Sequence, residues 1–284
     1  MNRAAGERGY CQAGNQLEIY RHGLHDGEEP PISGTRGSGT VFFSRCTLRC
    51  IYCQNYPWSQ AGAGRAACAA GELSTILRSL RAQGAHNWNL VSPTPWLPWI
   101  GEALEEARSA GVGRPVVYNT SGFESRETLA ALADWVAVYL TDLRYASPES
   151  AGAGSGNADY VAVSRAALLE MWRQTGPLVV DERGIAERGT ICRLLVLPGR
   201  AGEAAANLRW LAAHVGTSIA VSVMAQYTPA HKAVAVEPWN RRVAPAEYAE
   251  VVEEAERLGF AAGWIQEYGS PAPDSLVGFK MQPA

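Results

Sequence analysis

The chain has 284 residues, 47% apolar and 19% charged, with a net charge of −3, a composition that lets one chain bury a substantial core. That balance excludes the basic footprint of a nucleic-acid or anionic-membrane binder, and no apolar run reaches the length of a membrane span. Six cysteines, three clustered and three scattered, are too few for a disulfide framework and fit a reducing cytosol; with a polar N-terminus unlike a signal peptide, the expected location is cytoplasmic.

Residues 1–37 are rich in Gly, Pro and charge without clean periodicity. They read as an irregular N-terminal extension, loosely packed, with at most a short strand near Leu17-Glu-Ile-Tyr20. Cys11, His22 and His25 within it read as surface residues rather than metal ligands. From 38 to 268 strand-like and helical patterns alternate. Short, apolar, β-branched runs occupy Thr40–Ser44, Asn87–Ser92, Pro115–Thr120, Val136–Thr141, Ile191–Leu197, Ile219–Ala225 and, more weakly, Ala262–Glu267. Helical patterns fill Leu73–Ala82, Trp99–Ala110, Arg126–Ala133, Tyr160–Gln174, Ala204–His214 and Pro245–Leu258. Gly84, Gly111 and Gly259 stand where helices end, and Ser125 stands where one begins. Such alternation predicts parallel strands with right-handed crossovers, in a doubly wound sheet or a barrel. Ala151–Asn157, rich in glycine, reads as a mobile surface loop. The tail, 269–284, with Pro271, Pro273 and Pro283, reads as an extended wrap-around segment.

Directly after the first strand of the alternating region lies Cys46-Thr-Leu-Arg-Cys50-Ile-Tyr-Cys53, a C-x3-C-x2-C spacing. A loop this short can aim three thiolates at one centre. Three is one fewer than a closed zinc site takes, and no second Cys/His pair lies nearby; a redox C-x-x-C needs two. The set suits a four-iron four-sulfur (4Fe-4S) cluster with one iron left open for a ligand.

In parallel α/β folds ligands bind beyond the carboxyl ends of the strands. Here those ends carry the cysteines, Ser92-Pro-Thr-Pro95, Asn119-Thr-Ser-Gly122 followed by Phe123-Glu124, Thr141-Asp-Leu-Arg144, Leu197-Pro-Gly199 and Met224-Ala-Gln-Tyr227. Six such ends in a row favour an active-site mouth. Asp142 and Arg144, two apart on a strand, share a face and either pair with each other or meet a zwitterion. Arg193 sits in an otherwise apolar strand, where an unpaired charge is costly, and is expected to face a ligand cavity. Ser222 and Gln226 share a face of the sixth strand. Trp88, Trp96 and Trp99 read as packing aromatics.

The cysteine spacing with its strand context resembles the radical S-adenosylmethionine (SAM) superfamily. Gly37–Ser44, Cys50–Tyr56, Asn89–Thr94, Tyr118–Gly122, Tyr139–Tyr145, Leu195–Gly199 and Met224–Pro229 resemble, more narrowly, the stand-alone branch of pyruvate formate-lyase activating enzyme-like iron–sulfur proteins. The resemblance implies a partial, open (β/α)6 barrel spanning 38–268. It also implies a cluster held by Cys46, Cys50 and Cys53, and reductive cleavage of SAM to a 5′-deoxyadenosyl radical that abstracts a hydrogen atom from substrate. By the same resemblance Tyr52 packs near adenine. Ser92 and Thr94 replace the usual glycine-rich segment. Asn119, Thr120 and Asp142 sit where activases place ribose, carboxylate and a monovalent cation near SAM. Arg144 replaces the usual lysine, and Arg193 matches an arginine near SAM. The electron is expected from a reductant such as flavodoxin or ferredoxin. Two substrate classes stay open, a glycine in a protein or peptide and a small molecule unrelated to glycyl radicals; a non-catalytic iron–sulfur scaffold is the rival. The branch's extra N-terminal cysteines are reduced here to Cys11, and its histidine after the fifth-strand arginine is Leu194. Cys68 and Cys192 read as small buried hydrophobes.

Overall fold

The computed structural model describes residues 2–62, 66–269 and 282–283. In chain order the elements are β1 Leu17–His25, α1 Pro30–Ser33, β2 Ser38–Phe43, α2 Tyr56–Ser59, β3 Ala66–Cys68, α3 Ala70–Ala82, β4 Trp88–Val91 and α4 Leu97–Ser109. Then come β5 Val116–Thr120, α5 Arg126–Ala131, β6 Val138–Asp142, α6 Pro148–Ser155, α7 Tyr160–Thr175, β7 Val179–Val180 and β8 Ala186–Leu195. The chain closes with α8 Ala201–His214, β9 Ala220–Met224, α9 Pro245–Leu258, β10 Ala262–Ile265 and β11 Gln282–Pro283.

One twisted sheet carries the order β10-β9-β8-β6-β5-β4-β2-β1-β11, with its two edges unjoined. From β2 to β10 every neighbouring pair is parallel, so the strand ends that bear polar groups all lie at one end of the sheet. This is the partial, open barrel that the resemblance implies, one of the two architectures that the alternation leaves open. The helices cover its outer face because their apolar residues recur at helical spacing: Leu73, Leu77 and Leu80 of α3 bury against Trp88 and α4, and Leu208 and Leu211 of α8 bury with Val251 of α9 against Leu194 and Val223. Ser125 caps α5, its hydroxyl accepting from the Thr128 amide at 3.1 Å. Trp88 and Trp96 are buried, each donating its indole N–H to a backbone carbonyl, Leu77 and Ser44, and Trp99 packs edge-on to Trp96.

Two segments differ from the sequence reading. The N-terminal extension contributes a nine-residue strand, β1, antiparallel to β2, with Leu17 and Ile19 wholly buried. The chain then turns under the barrel, where Asn87 on the loop before β4 donates to the carbonyl of Ile32 at 2.7 Å. Its charge conceals this role: the link between β1 and α1 carries Glu28 and Glu29 to Arg193, while Ile32 of α1 packs among Val117, Leu140 and Ile191. His25 likewise is buried, edge-on to Phe42, rather than at the surface. The second is Ala151–Asn157, which forms most of a helix. Ser147 caps α6, and the Glu203 carboxylate accepts from the amides of Ala146 (2.8 Å) and Ser147 (3.3 Å). Its glycines serve contact rather than mobility: a Cβ on Gly154 would land on the Tyr145 ring. Of the tail, 270–281 and 284 lie outside the described residues, and 282–283 pair with His22 and Arg21 of β1. Among the described residues no helix is long and apolar enough to cross a membrane.

Candidate active site at the barrel mouth

β2 ends at Phe43, and the cysteine loop begins at Arg45, a buried residue at φ +72° whose Nε donates to Glu18 of β1 at 3.0 Å. The loop is pinned from three sides. Ile51 donates to the carbonyl of Gly154 on α6 (2.9 Å) and accepts from the Ala233 amide (3.0 Å), while Gln60 donates to the carbonyl of Cys50 (3.0 Å). All three thiols line one cavity of about 210 Å³. Each has a polar neighbour: the Leu48 amide donates to Cys46 at 3.4 Å, the Ser59 hydroxyl lies 3.4 Å from Cys53, and Arg144 Nη1 donates to Cys50 at 2.9 Å.

Burial pushes the Cys46 thiol up to about 12, and the neighbouring Cys50 and Cys53 add to the rise. Cys50 is raised too, chiefly by burial, against the pull of Arg144. Positive metal charge placed in the cavity would offset the burial that holds the Cys46 and Cys50 thiols protonated. Among the described residues no three His, Cys, Asp or Glu side chains converge closely enough for a single metal ion. A donor set of three thiols arrayed around one cavity fits a multi-iron cluster.

The same cavity is lined by Ser92, Asn119, Thr120, Asp142, Arg144 and Arg193, so the structure gathers six of the eight sequence-predicted SAM-side residues around the cysteines. Asp142 and Arg144 do pair: Arg144 donates from Nε (3.0 Å) and Nη2 (2.6 Å) to one carboxylate oxygen, Asp142 Oδ2. With Nη1 on Cys50, three of its five N–H groups are engaged and two remain. Tyr160 of α7 holds this strand end in place: its hydroxyl sits 2.8 Å from the Ser121 carbonyl and 3.0 Å from that of Asp142, and accepts from the Arg144 amide at 3.3 Å.

Arg193 lines the cavity as expected of its position, and it does so as a paired cation. Its Nε donates to Glu29 Oε1 at 2.7 Å and its Nη2 to Glu29 Oε2 at 2.5 Å, and Nη2 also meets Glu28. Glu28 reaches on to Asn89 (2.8 Å) and Asn119 (3.4 Å), knitting β4, β5 and β8 from beneath the cavity. Glu28 and His25 themselves line it. Sequence reasoning passed over Glu28 and Glu29 and placed His25 at the surface, although Arg193 in an apolar strand required a carboxylate from somewhere, and Glu28-Glu29 stood directly before the Pro30-Pro31 start of a helix.

Thr94 and Tyr52 lie off the cavity. Thr94 donates to Glu124 Oε1 at 2.6 Å, and Thr120 donates to the same oxygen at 2.5 Å. Burial raises the Glu124 carboxyl to about 7, in spite of those hydrogen bonds. Tyr52 turns into an aromatic cluster behind the loop, its hydroxyl 2.6 Å from that of Tyr145 and its ring edge-on to Tyr227 and Trp239.

No family model matches the chain. An uncharacterized protein of Methanocaldococcus jannaschii, MJ0674, is 27% identical over 257 residues, covering 88% of this chain and 70% of that protein. Among solved structures, native anSMEcpe with bound AdoMet superposes with a TM-score of 0.51 at 10% identity, covering 75% of this chain and 57% of that one. The FeFe-hydrogenase maturase HydG from Carboxydothermus hydrogenoformans superposes with a TM-score of 0.50 at 15% identity, covering 82% and 54%. Both are radical SAM enzymes. The fold is that of the radical SAM enzymes. This chain spans little more than half the length of either solved structure. In radical SAM terms, the mouth described above is the open end of the partial barrel, and the cysteine loop is the one that follows its first parallel strand.

Proposed function

We propose that this chain is a radical SAM enzyme that cleaves SAM reductively and removes a hydrogen atom from a bound substrate. One observation carries the reading: three cysteine thiols from one loop share a cavity with polar groups from the carboxyl ends of four parallel strands, β4, β5, β6 and β8. Cys46, Cys50 and Cys53 would hold a 4Fe-4S cluster, which would supply the electron for reductive cleavage of SAM.

The protein's own residues bind and orient. Arg144, with two N–H groups to spare and its fork fixed by Asp142, is suited to the carboxylate of a zwitterionic ligand. Asp142 offers a carboxylate to an amine or a monovalent cation, while Ser92 and Asn119 offer hydroxyl and amide groups at the adjacent strand ends. The Thr94 and Thr120 hydroxyls donate to Glu124 and so shape the wall. Tyr52, turned away from the cavity, supports the loop rather than stacking on a base. The resemblance to activating enzymes supports a protein or peptide as substrate, with flavodoxin or ferredoxin as the class of reductant.

The experiment is anaerobic reconstitution with iron and sulfide, reduction by dithionite, addition of SAM, and measurement of 5′-deoxyadenosine against a Cys50→Ala control. Deoxyadenosine from the wild type alone is expected. A four-iron cluster that yields none, and whose electron paramagnetic resonance is unmoved by SAM, would favour an iron–sulfur scaffold.

A further inference from the structure

The three thiols are not equivalent. Cys46 and Cys53 have neutral neighbours at 3.4 Å, a backbone amide that donates and a hydroxyl. Cys50, 3% exposed, receives a guanidinium N–H at 2.9 Å. That guanidinium is tied at its other edge to a single carboxylate, with Arg144 Nη2 2.6 Å from Asp142 Oδ2. A line of charge therefore runs carboxylate, guanidinium, sulfur, with the last member a ligand of the cluster assigned above.

We infer that Arg144 raises the reduction potential of the cluster through its hydrogen bond to Cys50, and that Asp142 restrains that rise by neutralising the guanidinium. The inference rests on the cluster reading of the proposed function. The reaction tuned is the uptake of one electron by the cluster from an external reductant. The added negative charge resides on iron and sulfur, and no proton moves. A cation hydrogen-bonded to a ligating sulfur favours the reduced, more negative state; hydrogen bonds to sulfur and local net charge are the levers by which proteins set such potentials. The partly buried setting strengthens both charges' effect, since Arg144 and Asp142 side chains are 23% and 20% exposed. The two residues thus act with opposite sign. A purely structural pair would not, because removing either member would loosen the same strand end in the same way.

The test is a reductive titration of the anaerobically reconstituted cluster in the absence of SAM, followed by visible absorption and electron paramagnetic resonance. Wild type, Arg144→Gln, Arg144→Lys and Asp142→Asn are compared. The expected order of midpoints places Asp142→Asn above wild type and Arg144→Gln below it, with Arg144→Lys between wild type and Arg144→Gln. If Arg144→Gln fails to take up iron, the Arg144→Lys and Asp142→Asn midpoints decide. Intact clusters whose midpoints stay at the wild-type value, or shift in one direction for both residues, would overturn the inference alone. A wild type that assembles no four-iron cluster would overturn the reading beneath it as well.

Discussion

Arg193 on β8 and Glu29, 164 residues earlier in the chain, meet fork to fork beneath the cavity, with N–O distances of 2.7 and 2.5 Å. Both side chains are nearly buried, at 14% and 5% exposure. Removing one member of a buried pair leaves the other uncompensated, a loss of about 3 to 5 kcal/mol. Because Glu28 also meets Arg193, Glu29→Ala is expected to cost about 3 kcal/mol, read as a lower urea midpoint. Burial raises the Glu29 carboxyl, but the charge and hydrogen bonds of Arg193 outweigh it and hold the group below its ordinary 4.5. Its stabilisation is therefore present above pH 4.5 and lost as pH falls through the folded value. The gap between wild type and variant should close in acid; a gap that widened there would contradict the pairing.

Glu124 has the opposite sign. Burial raises it from 4.5 to about 7, so the folded protein holds a proton there that the unfolded chain releases. Its contribution is complete below pH 4.5 and declines as pH rises toward 7, by on the order of 3 kcal/mol. Glu124→Gln keeps an oxygen for Thr94 and Thr120 and cannot ionise. It should flatten the stability profile between pH 4.5 and 7, measured by denaturant unfolding across that range.

Gly154 is the position where a single methyl group should disturb the cysteine loop. Its Cβ would meet the Tyr145 ring, 2.8 Å from Cε1. The helix cannot simply retreat, because the Gly154 carbonyl holds the Ile51 amide at 2.9 Å. Gly154→Ala is expected to cost about 1 to 3 kcal/mol and to lower iron retention. Gly152→Ala, two residues away and facing open space, should be neutral or stabilising by up to about 1 kcal/mol. Thermal unfolding and iron content of the two variants check this; equal behaviour would remove Tyr145 as the cause.

The three remaining cysteines have no place at the mouth. Cys192 is buried between β8 and its covering helices, and Cys11 and Cys68 pack partly buried against the core under α3 and α4. Replacing all three by alanine should leave iron and sulfide content per chain unchanged and lower only stability. Loss of a cluster in that variant would place one of them among its ligands.

Much of this was legible in advance because the barrel's outer wall follows simple periodicities. Leu73, Leu77 and Leu80 announce a helix face, and the β-branched runs announce strands covered on both sides. The cysteine loop was legible because its spacing is local. The interior was not, because there the partners are polar and remote in sequence. Nothing near Glu29 indicates Arg193, and nothing near Thr94 indicates Glu124. Gly154 misled for a related reason: glycine composition reads the same whether it serves flexibility or a close approach to an aromatic ring. Asp142 and Arg144 were readable as neighbours on one strand face, but the third member of their line, Cys50, lies 94 residues away from Arg144 and becomes visible only in space.

The segment beneath the barrel also sets an order of events during synthesis. At roughly 5 to 20 residues per second, Glu29 leaves the ribosome some 10 to 30 seconds before Arg193 exists. Through that interval β1 and β2 can pair as a hairpin, yet the two glutamates have no cation to meet, and the floor of the barrel cannot close. The cysteines at 46–53 emerge in the same early window. Their loop becomes fully braced only when Gly154 and Ala233 arrive. Before that moment Ile51, between the second and third cysteines, lacks both of the backbone hydrogen bonds that hold it in the folded chain.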